Sequence, residues 1–90
     1  MDEITMLNAL KTDLGITTKA YDERLVQYLR AARDAIAIEG IKLTDSEGDN
    51  LLVVRYAAFL WNKRDTGDGM PRSLRWMLNN RLFSQKLQEE

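Results

Sequence analysis

The apolar residues of the segment 21–36 recur with the period of an α-helix, and this pattern constrains the fold more than any other feature of the chain. Positions three and four residues apart lie on one face of a helix, so the segment predicts an amphipathic helix. Gly15 and Gly40, each followed by Ile, have the form of helix stops on either side. We therefore expect a helix near residues 18–39, capped by Thr17 or Thr18. The stripe consists of Tyr21, Leu25, Tyr28, Leu29, Ala32, Ala35 and Ile36.

Glycine and proline divide the rest of the chain into three more helical segments. One is predicted near residues 3–14, with Asp2 as its N-cap and an apolar face of Ile4, Leu7, Leu10 and Leu14. Another is predicted near residues 44–64, where Thr44 and Glu47 have the spacing of a capping box. The last is predicted near residues 71–81, because proline suits the first position of a helix. We therefore expect an all-α fold, a single small bundle of about four helices in one domain covering residues 1–90. Its expected core contains Leu25, Leu29, Ala32, Ile36, Val54, Ala58, Leu74 and Leu78.

Two parts of the chain are expected to have surface left for other molecules. Between Leu51 and Trp61 the third predicted helix is apolar on nearly all sides, with Arg55 its only charge. A domain of 90 residues buries little surface, so three partner helices are not expected to cover this helix completely. After Phe83 the apolar pattern weakens, and we expect residues 82–90 to be a flexible tail, an arm or a contact to a neighbour.

The residue types exclude most catalytic chemistry. The chain has no Cys and no His, which removes imidazole acid–base steps, thiolate nucleophiles and zinc sites. The two acidic loops, 45–49 and 65–69, lack the glycine and glutamate that a calcium-binding EF-hand loop needs at its sixth and twelfth positions. Helix capping and turn formation account for these acids. We expect no enzymatic activity, no catalytic residues, no metal and no cofactor.

The charge balance argues against a general attraction to nucleic acid or to membranes. The 13 basic and 14 acidic residues give a net charge of −1, and the longest apolar run is far shorter than the roughly 20 residues that span a bilayer. We expect a soluble protein with no membrane partner. Two alternatives stay open, a helical partner-binding module and a small DNA-binding regulator that uses the helix starting at Pro71. The support for the regulator is the set of basic residues near that helix, Lys63, Arg64, Arg72, Arg75, Arg81 and Lys86.

Large aromatic and arginine side chains in the second half of the chain are candidates for a subunit interface. Trp, Tyr and Arg are the residues that most often anchor protein interfaces. Arginines can also pair with carboxylates of a neighbouring chain. The predicted interface residues are Tyr56, Trp61, Arg64, Arg72, Arg75 and Trp76.

Three segments combine into a more specific pattern. The first runs Leu10-Lys11-x-x-Leu14, a short turn, and Asp22-x-x-Leu25-x-x-x-Leu29-x-x-Ala32-x-x-x-Ile36. The second is VRYAAFLWNKR at residues 54–64, an aromatic-rich helix with a polar end. The third is MPRSLRWMLN at residues 70–79, which contains the lone proline. In this order and with these loop lengths, they resemble the small head–tail connector proteins of tailed phages, also called adaptor or head-completion proteins. The resemblance covers residues 4–80 and does not extend to the tail.

The resemblance implies a structural role in the virion. The chain would be one subunit of a homo-oligomeric ring that docks on the portal protein, extends the DNA channel and receives tail-completion proteins. Genomic DNA would pass through without being read, and no catalysis or cofactor is implied. The protein would occupy the virion head–tail junction, and the bacterial host cytoplasm during assembly of phage or prophage particles. Whether the isolated chain is a monomer is left open.

Overall fold

The computed structural model describes residues 2–67 and 69–89, and within them the chain folds into four α-helices. The helices are α1 (Glu3–Leu14), α2 (Asp22–Ile38), α3 (Glu47–Thr66) and α4 (Arg72–Glu89). The described residues contain no β-strand. The predicted all-α class and the number of helices are therefore confirmed. Asp68, in the predicted turn at 65–69, and Glu90, at the end of the predicted tail, lie outside the described residues.

Helix α3 is the centre of the bundle and contacts each of the other three helices. The apolar stripe of α2 packs most extensively against it, as the period of that stripe predicts. All eight residues of the expected core are buried. The buried apolar residues that the sequence did not single out for this core are Met6, Leu10, Ile41, Leu52, Val53, Tyr56, Ala57 and Trp61.

The predicted glycine stops end the first two helices. Gly15 has a φ of 72°, and the N–H groups of Gly15 and Ile16 donate to the carbonyls of Thr12 and Lys11. This is the Schellman arrangement, which satisfies two carbonyls that the helix itself leaves without partners. Gly40 has a φ of 97°, a conformation that side chains with a Cβ rarely adopt, and it turns Ile41 back into the core.

Two helices begin later than predicted. Helix α2 starts at Asp22 rather than near residue 18, and neither Thr17 nor Thr18 is its cap. The preceding residues form a turn, in which the N–H of Asp22 donates to the carbonyl of Lys19. Helix α3 starts at Glu47, because Ser46 and not Thr44 is its N-cap and accepts a hydrogen bond from the N–H of Asp49.

Helix α1 packs on the bundle through Leu7, Leu10 and Leu14 of the predicted face, but Met6 is buried in place of Ile4. Met6 and Leu10 are fully buried, whereas Ile4 is largely exposed and Leu7 and Leu14 are half-buried. Residues 6 and 10 are one turn apart, so together they form a narrow stripe of their own. The predicted cap at Asp2 is confirmed by its hydrogen bond from the N–H of Thr5, 2.8 Å long.

The prediction of a flexible tail at residues 82–90 is wrong for the described part of that segment. Helix α4 begins at Arg72, directly after Pro71, and continues to Glu89 instead of ending near residue 81. Leu82 is half-buried and Gln85 is buried, so the second half of α4 packs on the bundle as the first half does. The apolar pattern weakens here because polar contacts replace apolar ones.

The other helices do not cover α3 completely, as expected, but the apolar surface left open is small: Leu51 is 48% exposed, and Phe59 and Leu60 are half-buried. Between residues 51 and 61 only Leu51 and Arg55 are classed as exposed. The other three helices and the α2–α3 loop cover most of the rest. Three of the exposed large apolar side chains, Trp76, Phe83 and Leu87, lie on α4.

Candidate interaction surface

Two of the six predicted interface residues, Tyr56 and Trp61, are buried in the bundle. Only 9% of Tyr56 and 8% of Trp61 is exposed. The Trp61 ring meets the rings of Tyr21 and Tyr28 edge to face, with centroids 5.6 and 5.5 Å apart. Such contacts join α3 to the start of α2. An interface residue is accessible in the free chain, so the placement of Trp61 in the predicted interface is wrong.

The other four predicted residues are exposed but have different surroundings. The Arg64 guanidinium lies 4.0 Å from the centre of the Trp61 ring, a cation–π contact that covers the buried aromatic cluster. Arg75 forms an ion pair with Glu39, 3.1 Å long. Arg72 is exposed at the start of α4, and Trp76 is 66% exposed. The structure thus separates the residues of α3, which stabilise the α2–α3 packing, from those of α4, which lie at the surface.

Helix α4 has two apolar faces on opposite sides. One face, around Leu74 and Leu78, packs on the bundle. The opposite face carries a row of exposed apolar side chains, here called the α4 ridge. The spacing of the ridge residues, i, i+7 and i+11, places them on one face of a helix. The ridge consists of Trp76, Phe83 and Leu87, which are 66%, 62% and 57% exposed.

A nearly buried ion pair fixes the orientation of α4. Asp49, in the first turn of α3, is 3% exposed. Its Oδ1 accepts a hydrogen bond from Arg81 Nε at 2.6 Å, and its Oδ2 accepts one from Arg81 Nη2 at 3.1 Å. Thr44 donates to the same Oδ2 through its N–H and its hydroxyl. A bidentate pair of this kind fixes both the distance and the relative orientation of the guanidinium and the carboxylate, so it sets the rotation of α4 about its axis.

The α2–α3 loop forms a second set of hydrogen bonds with α4. Gln85 accepts from the N–H of Lys42 at 2.6 Å and donates to the carbonyl of Gly40 at 2.8 Å. Arg81 Nη2 also donates to the carbonyl of Lys42. These bonds satisfy backbone groups of a loop that has no helical partners. They hold the second half of α4 on the bundle and thereby point Phe83 and Leu87 outward.

The electrostatics of the ion pair favour its charged form. Burial by itself raises the pKa of the Asp49 carboxyl, but the hydrogen bonds from Arg81 and Thr44 outweigh burial, and the net pKa lies below the usual value. The hydrogen bond to Asp49 in turn raises the pKa of the Arg81 guanidinium. Both groups are therefore charged near neutral pH. Neither Asp49 nor Arg81 changes its charge near neutral pH, which is typical of a structural ion pair rather than of a catalytic one.

A groove with an acidic rim lies beside α3. It has a volume of about 330 Å³ and is lined by Asp13 and Glu47 beside apolar residues; Asp13 Oδ1 also lies 3.9 Å from Arg55 Nε. We call it the acidic groove; its lining residues are Ala9, Asp13, Glu47, Asn50, Leu51 and Val54.

A second cavity connects the acidic groove to α4. Its volume is about 270 Å³, and Leu51 lines it as well as the acidic groove. Trp76 and Asn80 of α4 lie on its other side. Leu51 therefore lies between Trp76 of the α4 ridge and the acidic groove.

The carboxylate side chains in the part of the chain that the structure describes do not form a metal-binding cluster. No three Asp or Glu side chains among them come together in a way that could hold a metal ion. In the first acidic loop, Asp45 accepts a hydrogen bond from Asn50 and Ser46 caps α3. No helix within residues 2–67 and 69–89 combines the length and the apolar composition needed to cross a membrane.

Sequence reasoning found Trp76 but missed Phe83 and Leu87. The signal was present in the sequence, since both lie on the face of α4 opposite the Leu74–Leu78 stripe. Phe83 and Leu87 were missed because the helix is expected to end near residue 81.

Comparison with protein-family models, with curated proteins and with solved structures gives no match.

Proposed function

We propose that this chain is a non-catalytic structural subunit of a larger assembly and that the α4 ridge is one of its contact surfaces. The observation that carries the proposal is the exposure of Trp76, Phe83 and Leu87 in a single row. Trp76 and Phe83 alone leave roughly 250 Å² of apolar surface in water, because a full aromatic side chain carries about 200 Å². The largest exposed apolar patch of a monomeric protein is about 300–600 Å² and is often functional.

The rigidity of the ridge supports a role in assembly. Arg81 and Gln85 hold α4 against the α3 start and the α2–α3 loop, so the ridge side chains are presented by a helix that is fixed on its other face. A surface that is already ordered loses little conformational freedom when a partner binds. Subunits of large symmetric assemblies bind through surfaces of this kind.

The assembly that we propose is the head–tail connector of a tailed phage. The support is the sequence resemblance over residues 4–80. In this role the chain forms a ring on the portal protein, and tail-completion proteins bind to that ring. The absence of charge excess fits a channel through which DNA passes unread.

The alternative of a DNA-binding regulator has less support. Its recognition helix would be α4, but Arg75 and Arg81 on that helix form ion pairs with Glu39 and Asp49. The outward face of α4 carries Trp76 and Phe83, where a major-groove reader needs polar side chains that reach base edges.

The test is to delete the coding sequence in the phage or prophage that carries it. We expect filled heads and free tails to accumulate in electron micrographs, with joined particles restored when the chain is supplied from a plasmid. Mass spectrometry of the restored particles is expected to detect the chain. Normal particles in its absence would contradict the proposal, and a sequence-selective gel shift by the purified chain would favour the regulator.

A further inference from the structure

The outward face of α4 has the spacing of a coiled-coil seam. Exposed residues recur along it at alternating intervals of three and four, which is the pattern of the a and d positions of a heptad abcdefg. The d positions are Trp76 and Phe83, and Leu87 is an a position. The seam covers about 21 Å of helix at 1.5 Å per residue. We call it the outer seam; its residues are Ser73, Trp76, Asn80, Phe83 and Leu87.

The two edges of the outer seam differ in charge. On one edge the g positions are Arg72, Asn79 and Lys86, and all three are exposed. On the other edge the e positions are Met77 and Ser84, which carry no charge. Side chains at e and g form the ion pairs that set partner choice and orientation in coiled coils. The outer seam therefore has one cationic edge and one uncharged edge.

The cationic edge has no acidic partner among the described residues. The other two basic residues of α4 pair with carboxylates of the bundle, but Arg72 and Lys86 form no ion pair with any described carboxylate. Between Met70 and Gln88 the chain has four basic residues, and all 14 of its acidic residues lie outside that segment. Opposite charges across an interface favour association. The edge is therefore complementary to a partner that supplies carboxylates.

A second copy of α4 does not supply those carboxylates. In an antiparallel pair of outer seams the g positions face each other, which brings Arg72 of one copy near Lys86 of the other. In a parallel pair the g positions face the e positions, and Met77 and Ser84 are uncharged. Neither orientation forms an ion pair, and the antiparallel one opposes like charges.

The shape of the surface favours a helix as the partner. The described residues contain no β-strand, so the surface has no sheet edge to which an extended segment could add a strand. A helix satisfies its own backbone groups and binds through its side chains. On the uncharged edge, the cavity of about 270 Å³ between Trp76 and Leu51 has room for side chains of such a helix. A flat lipid surface leaves this cavity unfilled.

From these observations we propose that the outer seam binds an acidic amphipathic helix of another protein. That helix packs apolar side chains on the α4 ridge and places Asp or Glu opposite Arg72 and Lys86. Asn80 selects the register in which its amide meets a polar side chain, because a polar residue at an a position specifies register. The inference rests on the proposed function in that it gives the chemistry of the partner that binds the ridge.

The experiment selects binders from a displayed library of helical peptides, with the full chain as bait. The peptides are about 18 residues long, two and a half heptads, with Leu at d, Leu or Asn at a, and Glu, Gln or Lys at each e and g position. We expect peptides recovered on the wild type to carry Glu about tenfold more often than Lys along one edge. Recovered peptides without this preference, or no recovery above background, would overturn the inference.

Two variants with the same change in net charge separate the cationic edge from general electrostatics. One carries Arg72→Glu and Lys86→Glu, and the control carries Lys19→Glu and Arg24→Glu at exposed positions outside α4. Circular dichroism checks that both variants fold. We expect the first variant to bind a recovered acidic peptide about tenfold or more weakly in fluorescence polarisation, and to recover Lys-rich peptides instead. The control is expected to bind within about threefold of the wild type, because salt screens distant charges. Equal losses in both variants would overturn the inference.

Two other anionic surfaces are tested with the same chains. Vesicles of equal parts phosphatidylserine and phosphatidylcholine are used in co-sedimentation, and a DNA duplex is used in a gel shift. We expect neither to bind the wild type. Binding of either that is lost in the variant of Arg72 and Lys86, and kept in the control, would assign the cationic edge to lipid or to nucleic acid and overturn the inference.

These outcomes are separate from the test of the proposed function. A chain that recovers no acidic helix, but whose deletion separates heads from tails, would keep the proposed function and reject the inference. Recovery of acidic helices together with normal particles after deletion would reject the proposed function and keep the inference.

Discussion

Arg81 on α4 holds Asp49 at the start of α3 through two hydrogen bonds, from Nε to Oδ1 at 2.6 Å and from Nη2 to Oδ2 at 3.1 Å. The pair joins residues 32 positions apart in the chain. It fixes which face of α4 packs on the bundle and which carries Trp76, Phe83 and Leu87 outward. The candidate interaction surface thus depends on a polar contact in the interior.

Replacement of Arg81 by Met is expected to lower the free energy of unfolding by about 3 kcal/mol, because it leaves a nearly buried carboxylate without its cation. Urea denaturation of the purified chain measures the change. The matched control is Arg75→Met, which removes the exposed pair with Glu39 and is expected to cost less than about 1 kcal/mol. Equal losses in the two variants would show that the Asp49–Arg81 pair does not hold α4.

The stability that Asp49 contributes is expected to depend on pH. Its pKa is lower in the folded chain than in the unfolded one, since the hydrogen bonds from Arg81 and Thr44 outweigh burial. The stabilisation is therefore complete above the unfolded pKa of about 3.9 and is lost as the pH falls through the folded-state value. Urea titrations at a series of pH values should show that wild type and Asp49→Asn converge in stability below about pH 4. A difference that stays constant into acid would contradict this assignment.

Helix α1 provides a direct test of which of its faces is buried. Met6→Ala is expected to destabilise the chain by about 2–5 kcal/mol, as the loss of a fully buried side chain does. Ile4→Ala, two positions away, is expected to change stability by less than about 0.5 kcal/mol because Ile4 is exposed. Thermal or urea unfolding compares the two variants. A larger loss of stability in Ile4→Ala than in Met6→Ala would mean that Ile4, and not Met6, faces the bundle.

The sequence predicts the fold well where a helical segment has only one possible apolar face. The stripe from Leu25 to Ile36 has charged residues on its other side, so only one face can be buried. Helix α1 is different, because Leu10 belongs to two overlapping stripes, one with Ile4, Leu7 and Leu14 and one with Met6. Packing on the bundle buries Met6 rather than Ile4, and single-sequence periodicity cannot make that choice.

The candidate surface was only partly predictable for a similar reason. Trp61 and Trp76 are the same residue type on helices of similar character, yet one meets Tyr21 and Tyr28 in the interior and the other is exposed. The difference comes from tertiary packing. The second half of α4 was not predicted, because Arg81 and Gln85 hold it on the bundle by hydrogen bonds to the 40–42 loop. A search for apolar periodicity does not detect such hydrogen bonds.

The two tryptophans are expected to report different environments in fluorescence. In Trp61→Phe the remaining Trp76 is exposed, so iodide should quench its emission strongly, and its emission should shift to shorter wavelength as association covers the ridge. In Trp76→Phe the remaining Trp61 is buried under Arg64 and two tyrosines, so iodide should have little effect. Comparable quenching of both variants in dilute solution would contradict the assignment of Trp76 as the exposed one.

The most direct test of the central claim, that the α4 ridge is an assembly surface, is the yield of joined particles when variants complement a deletion. Phe83→Gln removes the middle of the ridge, and Ile38→Gln makes the same change at an exposed apolar residue of α2. Both chains should unfold at the wild-type urea concentration, since neither side chain is buried. We expect Ile38→Gln to restore joined heads and tails and Phe83→Gln to leave them separate. Full restoration by Phe83→Gln would contradict the claim.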